Sequence, residues 1–490
     1  MKKIYISVFC LLIFCGCHVG PRYKAPPTTT AVKWKNPPSN PCPSIQFNHW
    51  WDLFEDALLS DLENQAIAHN YNYKVALEKV AVARAIAGVT KADLYPQISL
   101  NANYNYTKEF VKFHGDRSKV PIPGIKDKLH IRDQTYLFPN IFKYELDLWG
   151  RHRNIYKSAL YQAQAEEDQA RVVLLTLTSD LASNYFNLRT LDSQLSLLKQ
   201  TESTLRSLLL IHQNRFAFGI DTGLDIAYAE ENLSNIEAEY QDTLRQRILF
   251  ENAIATLVGV APSELNIMQA ELKQQLPYIP IGLPSDLLKQ RPDIAEAERK
   301  MASKHTLINV AYSSFFPSLA LTGGGGLSSV QLQDFLNFKG YLWQVGANFV
   351  QSIFDAGRNR STLHATKALF KQAEDSYQQV ILTAFQDVEN ALSNIIQQSK
   401  QAEHLKQSLQ ASQKSTTLSN KRYQKGLVGQ LELLNYEQSL LQTQRRFTNV
   451  MGARYQSTIN LIKALGGSWE SSTEACVETT KLPPLTYKKQ

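Results

Sequence analysis

From Arg151 to Arg215 the chain contains neither proline nor glycine. Nothing there stops a helix, and at 1.5 Å per residue the stretch allows one of roughly 95 Å. Long apolar runs are also scarce. The one present, Ile4 to Phe14 behind Lys2 and Lys3, is too short for a bilayer and the right length for the core of a secretory signal. No later segment has the length and apolarity of a transmembrane helix, so any span must be β-barrel. Cysteine is rare, and only Cys17, Cys42 and Cys476 outlast removal of that leader. An excess of one charge is lacking too. The net charge of +7 is dispersed, with Lys and Arg interleaved among Asp and Glu, which argues against nucleic-acid binding. The histidines lack a metal spacing such as H-E-x-x-H. Gly323 to Gly326 is followed by no Gly-Lys-Ser/Thr, so it does not read as a phosphate loop. No catalytic residue, cofactor or metal is expected.

What the chain does contain is a second copy of itself. Gly150-Arg151, Thr176, Asp180, Asn187, Arg215-Phe216 and Gly219 recur as Gly357-Arg358, Thr383, Asp387, Asn394, Arg422-Tyr423 and Gly426, about 207 positions on. Such self-similarity marks an internal repeat. Upstream the offset widens to roughly 221, where Tyr95-Pro96-Gln97 answers Phe316-Pro317-Ser318. The extra length lies between Leu100 and Gly150, and loops accept insertions where helices do not.

Two periodicities run through each copy. Ile98 to Thr107 alternates apolar and polar residues, as do Phe142 to Leu148 and Trp343 to Phe349, so each copy is expected to form one β-hairpin with a wet face. The strand lengths suit a tilted transmembrane strand, and Tyr104, Tyr106, Tyr136, Phe138, Tyr341 and Trp343 resemble an interfacial girdle. Leu177, Leu181, Asn184, Leu188, Leu191, Leu195, Leu198, Glu202, Leu205 and Leu209 alternate steps of four and three, a heptad seam. A second helix from about Leu224 to Leu257 must turn back along the first. Gly219 to Gly223, and Gly426 to Gly429, are then the tips of two helical hairpins. Four strands cannot close a barrel, whose smallest forms have eight, so the chain must oligomerise.

The start Cys17-His18-Val19-Gly20-Pro21-Arg22-Tyr23-Lys24-Ala25-Pro26, then Trp50-Trp51-Asp52-Leu53-Phe54, resembles the lipoprotein branch of the TolC-type outer-membrane efflux factors. Leu288-Lys289-Gln290-Arg291-Pro292-Asp293-Ile294 resembles that family's L-x-x-R-P-D-I motif. The resemblance implies an α+β membrane protein: a homotrimer whose 12-stranded β-barrel, four strands per protomer, continues into a long α-helical coiled-coil periplasmic tunnel. It also implies a signal peptide over 1–16 and lipidation of Cys17 in a tail over 17–50. Repeat 1 is expected over 51–260, with a β-hairpin at 97–148 and a helical hairpin at 151–258; a linker follows over 261–290. Repeat 2 is expected over 291–467, with hairpins at 318–354 and 358–466, before a C-terminal segment over 468–490.

The implied function is a passive exit duct for small molecules, set in outer-membrane lipid and coupled to a periplasmic adaptor and an inner-membrane pump. The alternatives are a type I protein secretion duct and a non-transporting coiled-coil tether. By resemblance the adaptor docks on Arg215, Phe216, Gly219, Ile220, Arg422, Tyr423, Gly426 and Leu427. Asp225 and Glu432, with Asn435 one turn on, are candidates for a gate, since rings of carboxylate select cations; the alternative is helix capping. If Cys17 carries lipid, Cys42 and Cys476 are left as a candidate disulfide in an oxidising compartment.

Overall fold

The computed structural model describes residues 19–26, 34–35, 49–100, 103–112, 128–137, 140–273, 275–277, 279, 290–329 and 341–467. Cys17, Cys42 and Cys476 lie outside them. In chain order the elements are a 3-10 turn at Trp50–Phe54, α1 (Ala57–His69), α2 (Tyr71–Ala92), β1 (Gln97–Leu100), β2 (Asn103–Lys112), β3 (Lys128–Leu137) and β4 (Asn140–Leu146). They continue with α3 (Arg151–Ala217), α4 (Gly223–Val258), α5 (Pro292–Ser313), β5 (Ser318–Ser329), β6 (Tyr341–Val350), α6 (Arg358–Gln424) and α7 (Gln430–Ala464). The expected unbroken helix is thus present in both copies, at 67 residues each. No described helix is long and apolar enough to cross a membrane.

The chain forms two compact units, and each combines pieces of both repeats. The first comprises Met1–Pro26, Ala81–Gln164 and Arg299–Asp375 and holds the sheet. There, β1 and β2 pair with β4 and β3 in one continuous antiparallel register, Leu100 opposite Asn140 and Asn103 opposite Leu137. The six segments therefore make four strands. β3 and β4 together pair with β5, and β5 with β6, so the sequence order is also the sheet order. Among the described residues, the outer edges of β1–β2 and of β6 have no partner.

The register sorts the side chains. Phe142, Tyr144 and Leu146 stand opposite Gly323, Leu321 and Leu319, and those in turn opposite Val345, Ala347 and Phe349. One face is therefore apolar across strands of both copies, yet Ile98, Trp343 and Val345 are 78%, 73% and 81% exposed. The opposite face carries Gln97, Lys143, Glu145, Thr322, Gln344 and Asn348. Such a sheet has its oily side outward, the reverse of a sheet over a water-soluble core.

One expectation needs correcting. Asp147 and Leu148 do not extend the strand, which ends at Leu146. The Asp147 carboxylate accepts from the backbone nitrogens of His152 and Arg153 and from Arg153 Nε at 3.0 Å, satisfying donors that the first turn of α3 leaves open. Asp355 does the same for α6 through Gly357 and Asn359. Beside these caps the two copies interlock, with Trp149 stacked on Phe316 at 4.8 Å and donating to the Pro317 carbonyl.

The second unit comprises Pro27–Val80, Ala165–Glu298 and Ser376–Gln490. Of the expected seam, Leu177, Leu181, Leu188, Leu191, Leu195, Leu198 and Leu205 are buried, while Asn184 and Glu202 are half-buried. At the end of the seam Leu208 replaces Leu209 as the buried residue. The Trp-Trp-x-x-Phe segment packs here, with Phe54 against Phe186 at 4.8 Å and Phe186 stacked on Tyr455 at 4.3 Å. Arg291 of the Arg-Pro-Asp motif is buried; it bridges Asp293 at 2.7 Å and Asp387 at 3.2 Å and donates to the Ala464 carbonyl that ends α7.

Candidate functional site: the hairpin tips

Both tips lie in the second unit and turn in the same way. Gly219 and Gly426 each have φ of +69°, in the left-handed region that glycine enters without steric cost. The amide of Gly219 donates to Phe216 O and that of Ile220 to Arg215 O; Gly426 and Leu427 repeat the pattern with Tyr423 and Arg422. A Cβ built on either glycine meets nothing within 4 Å. Their role is therefore backbone conformation and a clear surface, not packing.

Around this shared turn the copies differ. In copy one Asp221 accepts from Arg215 Nε at 2.8 Å and is paired with His212 Nδ1 at 2.8 Å. Desolvation pushes the Asp221 carboxyl up, but the hydrogen bonds from Arg215 and His212 outweigh it and hold it below the usual carboxylate range. The next residue, Thr222, is the N-cap of α4, and Asp225 accepts from the Thr222 amide at 2.8 Å and from its hydroxyl at 2.7 Å. Those bonds lower the Asp225 carboxyl, the Thr222 backbone first. Asp225 therefore caps its own helix. In copy two the equivalents of His212, Asp221 and Thr222 are Ser419, Val428 and Gly429, and no side chain caps α7. Arg422 instead reaches Glu432 at 3.3 Å, both largely exposed. Asn435, one turn on, is exposed.

The tips are apolar on the outside. Phe218, Ile220, Leu224 and Leu427 are each more than 60% exposed, and Phe216 and Tyr423 less so. Beneath them Leu205, Leu208 and Leu434 are buried together, flanked by Ile211, Leu233, Ile236 and Leu431, so the turns stand on a packed seam shared by both copies. Exposed apolar residues gathered in this way are uncommon on a surface that faces water alone.

Sequence reasoning located the two turns and their glycines but missed the His212–Asp221–Arg215 clamp. The available signal was divergence: His212 and Asp221 stand where the repeat otherwise keeps its register and the second copy has Ser419 and Val428. It also missed a charged brace farther up. Asp192 accepts from Arg189 Nη1 at 3.1 Å, Arg247 Nε at 2.7 Å and the Ala270 amide. Arg189 donates to Met268 O, and Arg247 to Ile267 O and Glu251. Among the described residues no cluster of His, Cys, Asp and Glu could hold a metal ion.

The outer membrane efflux protein family matches this chain over residues 62–260 and 283–467. The probable outer membrane lipoprotein SilC of Salmonella typhimurium is 28% identical over 96% of this chain and 99% of its own length. The antibiotic efflux pump outer membrane protein ArpC of Pseudomonas putida is 27% identical over 98% and 99%. Among solved structures, the outer-membrane channel OprN superposes with a TM-score of 0.82 at 26% identity, covering 92% of this chain and 100% of that one. With both repeats matched and the two-faced sheet and paired helical hairpins in place, the chain belongs to the outer membrane efflux protein family, and is an outer-membrane component of an efflux system.

Proposed function

We propose that the chain is a passive exit duct for small molecules, working as a homotrimer anchored through an acylated Cys17. Three four-stranded sheets close a 12-stranded barrel, and the helical hairpins form the tunnel beneath it. An inner-membrane pump supplies the energy, and a periplasmic adaptor docks on the tips. The observation that carries this reading is the sheet: its exposed face is apolar and, among the described residues, both outer edges are unpaired, which lipid tolerates only in a closed barrel. That face favours a duct over a coiled-coil tether, which has no use for it. Small-molecule efflux is favoured over protein secretion by the likeness to ArpC, an antibiotic efflux pump outer membrane protein.

Single-channel recording in planar bilayers tests the duct. The purified protein should conduct ions, and Asp225→Asn with Glu432→Gln should reduce cation preference more than conductance. No conductance would remove the duct reading. Unaltered selectivity in the double variant would leave Asp225 as a helix cap and Glu432 as the partner of Arg422.

The docking surface is tested separately. Gly219→Leu and Gly426→Leu add side chains to open space, so the cost to folding is limited to backbone strain of about 1–2 kcal/mol each. Trimers should persist on native gels while export falls in cells that carry pump and adaptor. Loss of the trimers would make these glycines structural only.

A further inference from the structure

Strands β1, β4, β5 and β6 contain only two charged residues, Lys143 and Glu145, both on β4. Standing two positions apart, they share the wet face. Arg151 Nη1 lies 3.2 Å from Glu145 Oε1 and His152 Nε2 lies 3.3 Å from Glu145 Oε2, so that carboxylate is drawn towards the first turn of α3. Asp147, the next acid along, is held by Arg153 at 3.0 Å. Lys143, by contrast, is exposed and has no ion-pair partner among the described residues. Set against Glu145 and Asp147, the cations Lys143, Arg151 and Arg153 leave one positive charge over even with His152 neutral, and it sits on Lys143.

The register sets neutral donors beside it. Gln97 stands opposite Lys143 on one side and Thr322 on the other, both exposed, and Gly346 follows beyond Thr322. Neighbouring strands lie about 4.8 Å apart, so a group of a few atoms resting on the Lys143 ammonium is within range of the Gln97 amide and the Thr322 hydroxyl. That hydroxyl now donates to the Gly346 carbonyl at 3.4 Å, a long bond that a charged acceptor would win away. A Cβ at position 346 would come within 3.0 Å of Thr322 Oγ1. Glycine there keeps the hydroxyl clear.

We propose that Lys143, with Gln97 and Thr322 at its sides, binds the oxyanion group of a small molecule passing along the wet face: a carboxylate, a sulfonate or a phosphate. One cation among neutral donors attracts such a group without trapping it, since an ion pair open to water is weak, and conduction requires that a bound species can leave. In copy two the equivalent position is Val350. Each chain therefore carries the site once. The proposal rests on the duct reading for its setting, because closure of the barrel is what turns the wet face into a lumen; it adds the chemical class of the cargo group and the residue that meets it.

Two measurements on the full-length protein test it: block of single-channel current by inorganic tripolyphosphate, and equilibrium binding of a trisulfonated pyrene dye to the detergent-solubilised protein. Lys143→Gln should weaken both about fivefold, the upper end for an exposed ion pair, and Lys143→Arg should retain them. Raising KCl from about 0.1 M to about 1 M should weaken both in the wild type, as the Debye length falls from about 10 Å to about 3 Å. Arg151→Gln should also weaken them, because it releases Glu145 to face Lys143, and it covers the case where Lys143→Gln fails to fold. Equal block and equal dye binding in the wild type and both Gln variants, with conductance retained, would overturn the site and leave the duct standing. Dye binding that falls in Lys143→Gln, in a protein that does not conduct, would remove the duct and keep the oxyanion site.

Discussion

Asp192→Ala is expected to cost about 3–5 kcal/mol, because it strips the shared partner from two buried guanidinium groups. The Asp192 side chain is 1% exposed, and those of Arg189 and Arg247 are 8% and 7% exposed. Water cannot enter to replace the lost carboxylate. The brace ties α3 and α4 to the 267–270 segment, so its loss should release that segment as well as loosen the helices. Urea unfolding followed by circular dichroism reads the loss directly. Replacing the cluster with Arg189→Met, Asp192→Leu and Arg247→Met, together with Glu251→Gln to remove the partner that Arg247 would leave behind, should recover part of it, since no side-chain charge is then unpaired. A loss below about 1 kcal/mol for Asp192→Ala would mean that solvent reaches the site.

Glu63→Met is expected to act in the opposite direction. Glu63 shares the buried face of α1 with Leu59, Leu62 and Ala66, is 0% exposed, and neither carboxylate oxygen has a hydrogen-bond partner among the described residues. Burial pushes its carboxyl well above the usual range. Removing an unpartnered polar group from such a place should gain about 1–3 kcal/mol. The gain should also depend on pH. With the folded carboxyl raised, the native state holds a proton that the unfolded chain releases above about pH 4.3, so the wild type loses stability as pH climbs from there towards the folded value. The advantage of Glu63→Met should therefore be larger at pH 8 than at pH 4.5, and Glu63→Gln should abolish the pH slope. Equal gains at both pH values would show that the carboxyl is hydrated.

How much of this was legible depended on the range of the interaction. The helical hairpins could be read because heptad positions such as Leu181 and Leu188 recur within one turn or two, and the tips because Gly219 and Gly426 mark the same left-handed turn twice. The strands could be read from alternation, but their ends could not: Asp147 alternates like a strand residue and serves as a helix cap, a competition between local patterns that sequence does not decide. The brace was invisible because Asp192 and Arg247 are 55 positions apart and on different helices. Glu63 was invisible because a charged residue at one position of an amphipathic helix reads as solvated. The clamp at Asp221 lay in between, since comparison of the two copies exposes it.

The unpaired outer strands of the sheet also bear on how the protein reaches its place. If the chain closes a trimeric ring as proposed, then between export from the cytoplasm and that closure each newly made chain carries, among its described residues, two edge rows of free backbone donors and acceptors beside an oily surface, with water all around. Such edges pair with whatever strand they meet first, so the hazardous period is the search for two siblings rather than the finished state. Safe delivery then depends on escort by holding factors and on a rate of synthesis that keeps siblings close in time, and overproduction should fail by aggregation in transit well before the membrane runs out of room.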